Sequence, residues 1–359
     1  MSFSSLPEAE RAAGSAMATL WVTSANLMNL ALPHRSFYPN QPPYDAADYE
    51  RKIDWLGGQM QRLNADIAGF QEVWDEAALK AAADRSGLRY DHVLAPGAEI
   101  GAEGTPRVGL ATRLQLDSVA SIAEFAVNER VMVPDLGEHG RFERPVLHAT
   151  LRLKHGQRIQ VLVAHLKSKR PKYLQDAAGN ALEDRNDPLV TVRATLRSLL
   201  MRAAEAAALR GIVVSLIQHR HEPLILLGDM NDGPLSVTSQ MIAATGAVAY
   251  DRSARDVALF HAYDVQTEPA LKRDMAYSHV FQGMPDILDQ IWVSEEFVAS
   301  SRLAIGDVKR VEYFNDHLHE GRQRYRSDHG LVRALLRVVL TGQDLPAPPT
   351  LGSSQQSLP

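Results

Sequence analysis

Apolar runs that stop abruptly at a polar or charged residue recur along this chain, and they set most of its expected elements. The clearest is LILLGDMNDGP, residues 224–234. Leu224 to Leu227 read as a buried strand, which delivers Asp229 and Asn231 before Gly233 and Pro234 break the pattern. TLWVTS (19–24) alternates like a strand and places Asn26 and Asn29 just past its end, while ADIAGFQEVW is a short strand presenting Gln71 and Glu72. Further strands are expected near Tyr90–Leu94, over 107–113 and 142–153, and over 158–168, where His165 falls at the C-terminal end. DQIWVS begins with Asp289, and SDHGLVRALLRVVL (327–340) has Asp328 and His329 at its entrance.

Between the strands lie helical periods. Tyr49, Ile53, Leu56, Met60 and Leu63 are spaced by four, three, four and three, with Asp45 or Asp48 as cap. Helices also follow over 75–86, 190–218 and 236–245. Segment 31–48, with four prolines and Phe37, Tyr38 and Tyr44, reads as a structured loop, and 97–105 as a glycine-rich turn without the lysine of a nucleotide-binding loop. Residues 169–189 lack an apolar period and read as a mobile lid or, more commonly for such a stretch, a solvated insertion. No repeat or linker divides the chain, so the expectation is a flexible N-terminus over 1–18, one domain over 19–340, and a disordered tail over 341–359.

Composition narrows the chemistry. The chain's 359 residues are 45% hydrophobic, enough for a large core, and 38 Lys+Arg against 43 Asp+Glu give a formal charge of -5. No global basic field recruits a polyanion. The absence of cysteine removes disulfides, thiolate metal sites and a cysteine nucleophile, so any metal must use Asp, Glu, Asn and His; oxygen-rich sets suit magnesium, manganese or calcium. Neither a secretory signal nor an apolar run of membrane length is visible, which reads as a cytoplasmic protein with no membrane partner.

Taken alone, Asp229 and Asn231 read first as turn residues bonding their own backbone, and second as a proton acceptor and a hydrogen-bond donor. The recurrence of polar groups at six strand ends favours the second reading: Asn26, Glu72, His165, Asp229 with Asn231, Asp289, and Asp328 with His329. The words ANLMN, FQEVW, AHLKS, GDMND, LDQIWVS and SDH, in that order over residues 19–340, resemble the endonuclease/exonuclease/phosphatase superfamily of metal-dependent phosphoesterases. That resemblance implies a four-layer α/β/β/α sandwich with two mixed sheets. It also implies Mg²⁺, Mn²⁺ or possible Ca²⁺ held by Glu72 with Asn26 and Asp328. Asp229 then positions or deprotonates the attacking water, Asn231 donates to the phosphate, and His329, oriented by Asp289, donates to a phosphoryl oxygen, with His165 facing the same phosphate. Attack is direct, with no covalent intermediate.

Lys167, Arg144, Arg107 and Lys169 are candidate phosphate contacts or ordinary surface charge, Lys167 being favoured as two residues beyond His165 on the same strand face. Arg193 and Arg197 read as a solvated helix face. The chain departs from the superfamily pattern at Met28, where several branches carry a carboxylate, at Gln290, where many relatives carry His, Arg or Tyr, and in SDHG. The first reading of the substrate is a nucleic acid, by HLKSK and YSHVFQG. A small-molecule or nucleotide phosphodiester or monoester is the alternative, given the acidic balance and only 6% aromatics, and a silent binding module is a remote third. The sequence gives no oligomeric state.

Overall fold

The computed structural model describes residues 17–339, except 39–40, 98–103, 154–155, 177–178, 221, 249–250 and 270–272. The expected flexible N-terminus up to residue 16, the expected tail, and most of the 97–105 turn lie outside the described residues. In chain order the elements are β1 (Met17–Leu30), α1 (Ala46–Leu63), β2 (Ile67–Val73), α2 (Glu76–Arg85), β3 (His92–Leu94) and β4 (Arg107–Thr112). Next come β5 (Gln115–Glu124), the hairpin β6 (Val131–Val133) and β7 (Gly137–His139), β8 (Arg141–Arg152), β9 (Arg158–His165) and α3 (Pro188–Ile217). The last third holds β10 (Leu224–Asp229), α4 (Val237–Ala243), β11 (Phe260–His261), the hairpin β12 (His279–Phe281) and β13 (Met284–Asp286), β14 (Asp289–Val293), β15 (Gly306–Phe314) and β16 (Leu331–Val339).

Two six-stranded mixed sheets result, ordered β15-β16-β1-β2-β4-β3 and β11-β14-β10-β9-β8-β5. Each has a parallel pair at its centre, β1 with β2 and β10 with β9, flanked by antiparallel neighbours. Alternation along the strands explains the layers. Ile225 and Leu227 face Val22, Ile67, Val163 and Val332 in the core between the sheets, while Leu224 and Leu226 pack outward against Leu209 and Val213 of α3. Ile53, Leu56 and Met60 of α1 cover Ala68 and Phe70 on the opposite outer face. The sheets approach closely at Gly69, where an added Cβ would lie 2.9 Å from Leu227 Cδ1. This is the four-layer α/β/β/α sandwich.

Local chemistry sets the helix ends. Asp45 is the cap of α1, accepting from the Asp48 N–H, and Asn64 closes it in the left-handed region at φ 45°. Asp187 caps α3 ahead of Pro188. No helix among the described residues is long and apolar enough to cross a membrane.

Three expectations need correction. Asn26 and Asn29 lie inside β1, which runs to Leu30. Strands β5 and β15 were not foreseen. Arg197 is fully buried: its guanidinium donates to both carboxylate oxygens of Glu183 at 2.9 Å and meets Asp135. Lys172 N–H also donates to the Ala194 carbonyl at 2.9 Å, so the 169–189 segment is fastened to α3.

Candidate functional site

Register brings three candidate residues into one row across the second sheet. Asp229 at the end of β10 pairs with His165 on β9 and with Asp289 on β14. All three continue the inward parity of Leu227, Val163 and Ile291, so their side chains emerge between the sheets at one edge. Gly228 allows the strands to close there, because a Cβ would collide with the Ala164 carbonyl oxygen.

The first sheet supplies its residues through irregular backbone. The β1–β2 register slips between Asn26 and Leu30, and the β2–β4 register between Phe70 and Val73. Within these slips Met28, Asn29 and Glu72 have φ of 50°, 56° and 62°. Parity would place Glu72 with Ala68 and Phe70 under the helices. The bulge breaks that alternation, and its carboxylate instead accepts from Asn29 N–H at 2.9 Å and Asn26 Nδ2 at 3.4 Å. Left-handed non-glycine residues are costly and gather where the surroundings hold them, commonly at functional sites.

Side chains from both sheets then join. Asn26 Nδ2 donates to Asp229 Oδ2 at 3.1 Å, and His165 Nε2 lies 3.5 Å from the same oxygen. His329 Nδ1 is 2.7 Å from Asp289 Oδ2 and 3.8 Å from Asp229 Oδ2. Ser327 Oγ fastens the His329 turn to β1, donating to the Asn26 carbonyl at 2.6 Å and accepting from His329 N–H at 3.0 Å. Asp328 is held by Arg322 at 3.1 Å.

The GDMND word forms a turn that leaves one carboxylate oxygen of Asp229 directed at the network. Asn231 (φ 53°) donates its backbone N–H to Asp229 Oδ1 at 2.8 Å, a turn bond, while Asp229 Oδ2 faces the network. Extended geometry does not persist to Asn231, whose Nδ2 donates to the Leu166 carbonyl at 2.9 Å.

Charge is concentrated here. Burial pushes the Glu72 carboxyl up, reinforced by Asp328 and Asp229 and opposed by His329 and Arg144. Burial likewise raises Asp229. For His329 burial opposes the charged form, but Asp289 and Asp229 overcome it and hold the imidazole well above the usual histidine range. His165 is pushed the other way, by burial and then Arg144, and is neutral. Asp229, Asp289 and His329 form a buried acidic and histidine cluster whose donor atoms lie within 4.8 Å of one another, able to chelate a divalent metal ion.

The expected cationic contacts separate. Arg144 Nε donates to the His165 carbonyl at 2.9 Å, at the site's edge. Lys167 lies beyond the end of β9, so strand parity does not align it with His165, and its buried ammonium turns to the carbonyls of Ser168 and Arg170 at 3.2 and 3.5 Å. Arg107 donates to the carbonyls of Trp74 and Gly97. Lys169 meets Asp232 and Asp286.

Two neighbours were missed. Lys52 of α1 is fully buried, with one acceptor among the described residues, the Arg324 carbonyl at 3.5 Å, and the Tyr44 ring 5.4 Å from its nitrogen. Its place three residues after Tyr49 and four before Leu56, inside the apolar stripe, was the available signal. His279 in YSHVFQG has its ring 4.9 Å from that of His329.

Comparison with known proteins follows the same lines. A family protein from Bacteroides thetaiotaomicron has 15% identity and a TM-score of 0.55, covering 90% of this chain and 99% of that one. The mannosyl-6-phosphatase of the same organism has 15% identity and a TM-score of 0.53, covering 88% and 99%. A humanized D. rerio TDP2 has 14% identity and a TM-score of 0.52, covering 89% and 98%. At these identities the likeness is one of fold. No curated protein sequence matches this one. The sequence profile of the Endonuclease/Exonuclease/phosphatase family matches residues 29–329, and the chain therefore belongs to that family of metal-dependent phosphoesterases.

Proposed function

We propose that this phosphoesterase hydrolyses a compact phosphodiester by direct attack of water, with one divalent cation held by Glu72 assisted by Asn26 and Asp328. The observation that carries the reading is the bonded path across both sheets, from Glu72 through Asn26 to Asp229, and alongside it from Asp289 to His329. Two donor sets compete for the cation. In the cluster of Asp229, Asp289 and His329, the imidazole Nδ1 is committed to Asp289 at 2.7 Å. The carboxylate oxygens of Glu72 and Asp328 leave that pair intact and suit magnesium or manganese. A bound cation supplies charge neutralisation at the phosphoryl group.

The chain's own groups do the rest. Asp229 orients the water and takes its proton, with Asn26 and the Asn231 N–H fixing the carboxylate. As the water oxygen bonds to phosphorus, the ester P–O bond opposite it breaks, and its electron pair leaves with the ester oxygen, which takes a proton from solvent to become the alcohol. The second Asn231 amide hydrogen and the free N–H of His329 donate to phosphoryl oxygens, and Asp289 keeps the His329 ring in place. Neutral His165 fills the space beside Asp229.

Compactness is supported by the cations near the site, most of which are already paired: Arg144 and Lys167 with backbone carbonyls, Lys169 with Asp232 and Asp286, Lys172 with Glu143, and Arg322 with Asp328. The nucleic-acid reading draws on the exposed Arg170 and its basic neighbours in SKRPK. Assays with Mg²⁺ or Mn²⁺ on plasmid DNA, an RNA oligonucleotide, bis(p-nitrophenyl) phosphate and p-nitrophenyl phosphate separate these. Turnover of the small diester that changes little with salt is expected. Cleavage confined to polynucleotides and falling steeply with salt would make the chain a nuclease, and turnover of the monoester alone would make it a phosphatase.

A further inference from the structure

A cleft of about 350 Å³ opens beside the site, walled by Pro234, Leu235, Ala276, Tyr277, Pro285 and Ile287. Its walls are the loops that leave the catalytic residues. Gly233 lies two residues beyond Asn231, Ile287 two before Asp289, and Tyr277 two before His279, whose ring packs on His329. We propose that this cleft is the subsite for one apolar, uncharged ester substituent of the substrate, and that Gln290 is the positioning residue that builds it. The inference rests on the phosphodiester reading above and deepens it.

Gln290 is fully buried on β14, and its Nε2 donates to the Asp232 carbonyl at 2.6 Å and the Ile287 carbonyl at 2.9 Å. One amide therefore ties the loop after β10 to the segment before β14, the two sides of the cleft. Trp292 Nε1 donates to Gln290 Oε1 at 2.8 Å, which fixes which end of the amide faces the walls. The third wall is fastened by Ser278: its Oγ accepts from Asp289 N–H at 2.9 Å and its carbonyl accepts from Gly330 N–H at 2.6 Å. The cleft is thus rigid relative to Asp229, Asp289 and His329. A histidine, arginine or tyrosine at 290 could not both donate to these two carbonyls and accept from Trp292 Nε1, so the departure at this position reshapes the substrate side.

The lining chooses the occupant. Leu235 is 77% exposed at the lip, where a bound apolar group would cover it. Asp274 and Asp286 also line the cleft, and Lys169 meets Asp286 at 3.4 Å, so two carboxylates stand against one ammonium. That balance disfavours the next phosphate of a polynucleotide and tolerates a neutral alcohol moiety. The volume suits one ring or short alkyl chain.

The test compares competitive inhibition, and calorimetric binding with Mg²⁺ present, by inorganic phosphate, methyl phosphate and phenyl phosphate. The expected result is phenyl phosphate binding roughly tenfold or more tightly than methyl phosphate. That ratio should collapse toward one in Leu235→Gln, whose exposed position leaves folding intact, and fall in Gln290→Asn. Equal affinity for the three ligands, or a phenyl preference that survives Leu235→Gln, would overturn the subsite. Absence of turnover on every phosphodiester would instead sink the functional reading, and the binding arm reads the cleft independently of it.

Discussion

Lys52 shows how much a single buried charge can reveal. Burial depresses its ammonium to about 7, against the pull of Glu72 and Asp328 and with Arg324 adding to the fall. In the unfolded chain a lysine titrates near 10.4, so between the two values the unfolded state binds the extra proton and stability rises with pH. The penalty of charging Lys52 is complete below about pH 7 and gone above the unfolded value. Lys52→Met should therefore stabilise the fold by about 1–4 kcal/mol at mildly acidic pH, with the gain shrinking as pH rises. Denaturant melts of both proteins across that range check it, and a pH-independent difference would show that folding does not depress the Lys52 ammonium. The apolar stripe of α1 was legible in the sequence, but the lysine within it was passed over because lysines are seldom buried without a partner. Glu72 was found by its word, whereas its direction depends on a positive φ that no alternation rule encodes.

At the scale of elements, strands with strong apolar runs were legible, and with them the row His165, Asp229 and Asp289. Strand β5 was not, because it is an edge strand with mostly exposed positions and no buried face to impose alternation. Strand β15 was hidden differently: its register shifts between Val308 and Arg310, so Val308 and Val311 fall out of a period of two. The 169–189 segment lacks any apolar period because what fastens it is polar, the Arg197 guanidinium on Glu183 and Asp135 and the Lys172 N–H on the Ala194 carbonyl. Arg197→Leu should leave both carboxylates without their partner, lower Tm by several degrees, and expose the segment to limited proteolysis ahead of global unfolding. Cleavage at the wild-type rate would mean that the Arg197 contacts do not hold it.

For the whole molecule, the candidate site exists only where the two sheets meet: Asn26, Glu72, Asp328 and His329 reach it from the first, and His165, Asp229 and Asp289 from the second. Four carboxylates share that edge, which explains why a bound cation should stabilise the folded chain as a unit. Saturating Mg²⁺ or Mn²⁺, at a hundredfold excess over its Kd, should add about 2.7 kcal/mol to the unfolding free energy. Glu72→Gln should remove most of that increment, and an undiminished increment would move the cation to the Asp229, Asp289 and His329 cluster.

The most direct measurement is kcat on a small phosphodiester, with metal in excess, for the wild type, Asp229→Asn and His329→Ala, each checked for an unchanged melting transition. Both variants should fall by about 10²–10⁴-fold while remaining folded. Near wild-type turnover in both would contradict the assignment of this network as the catalytic site.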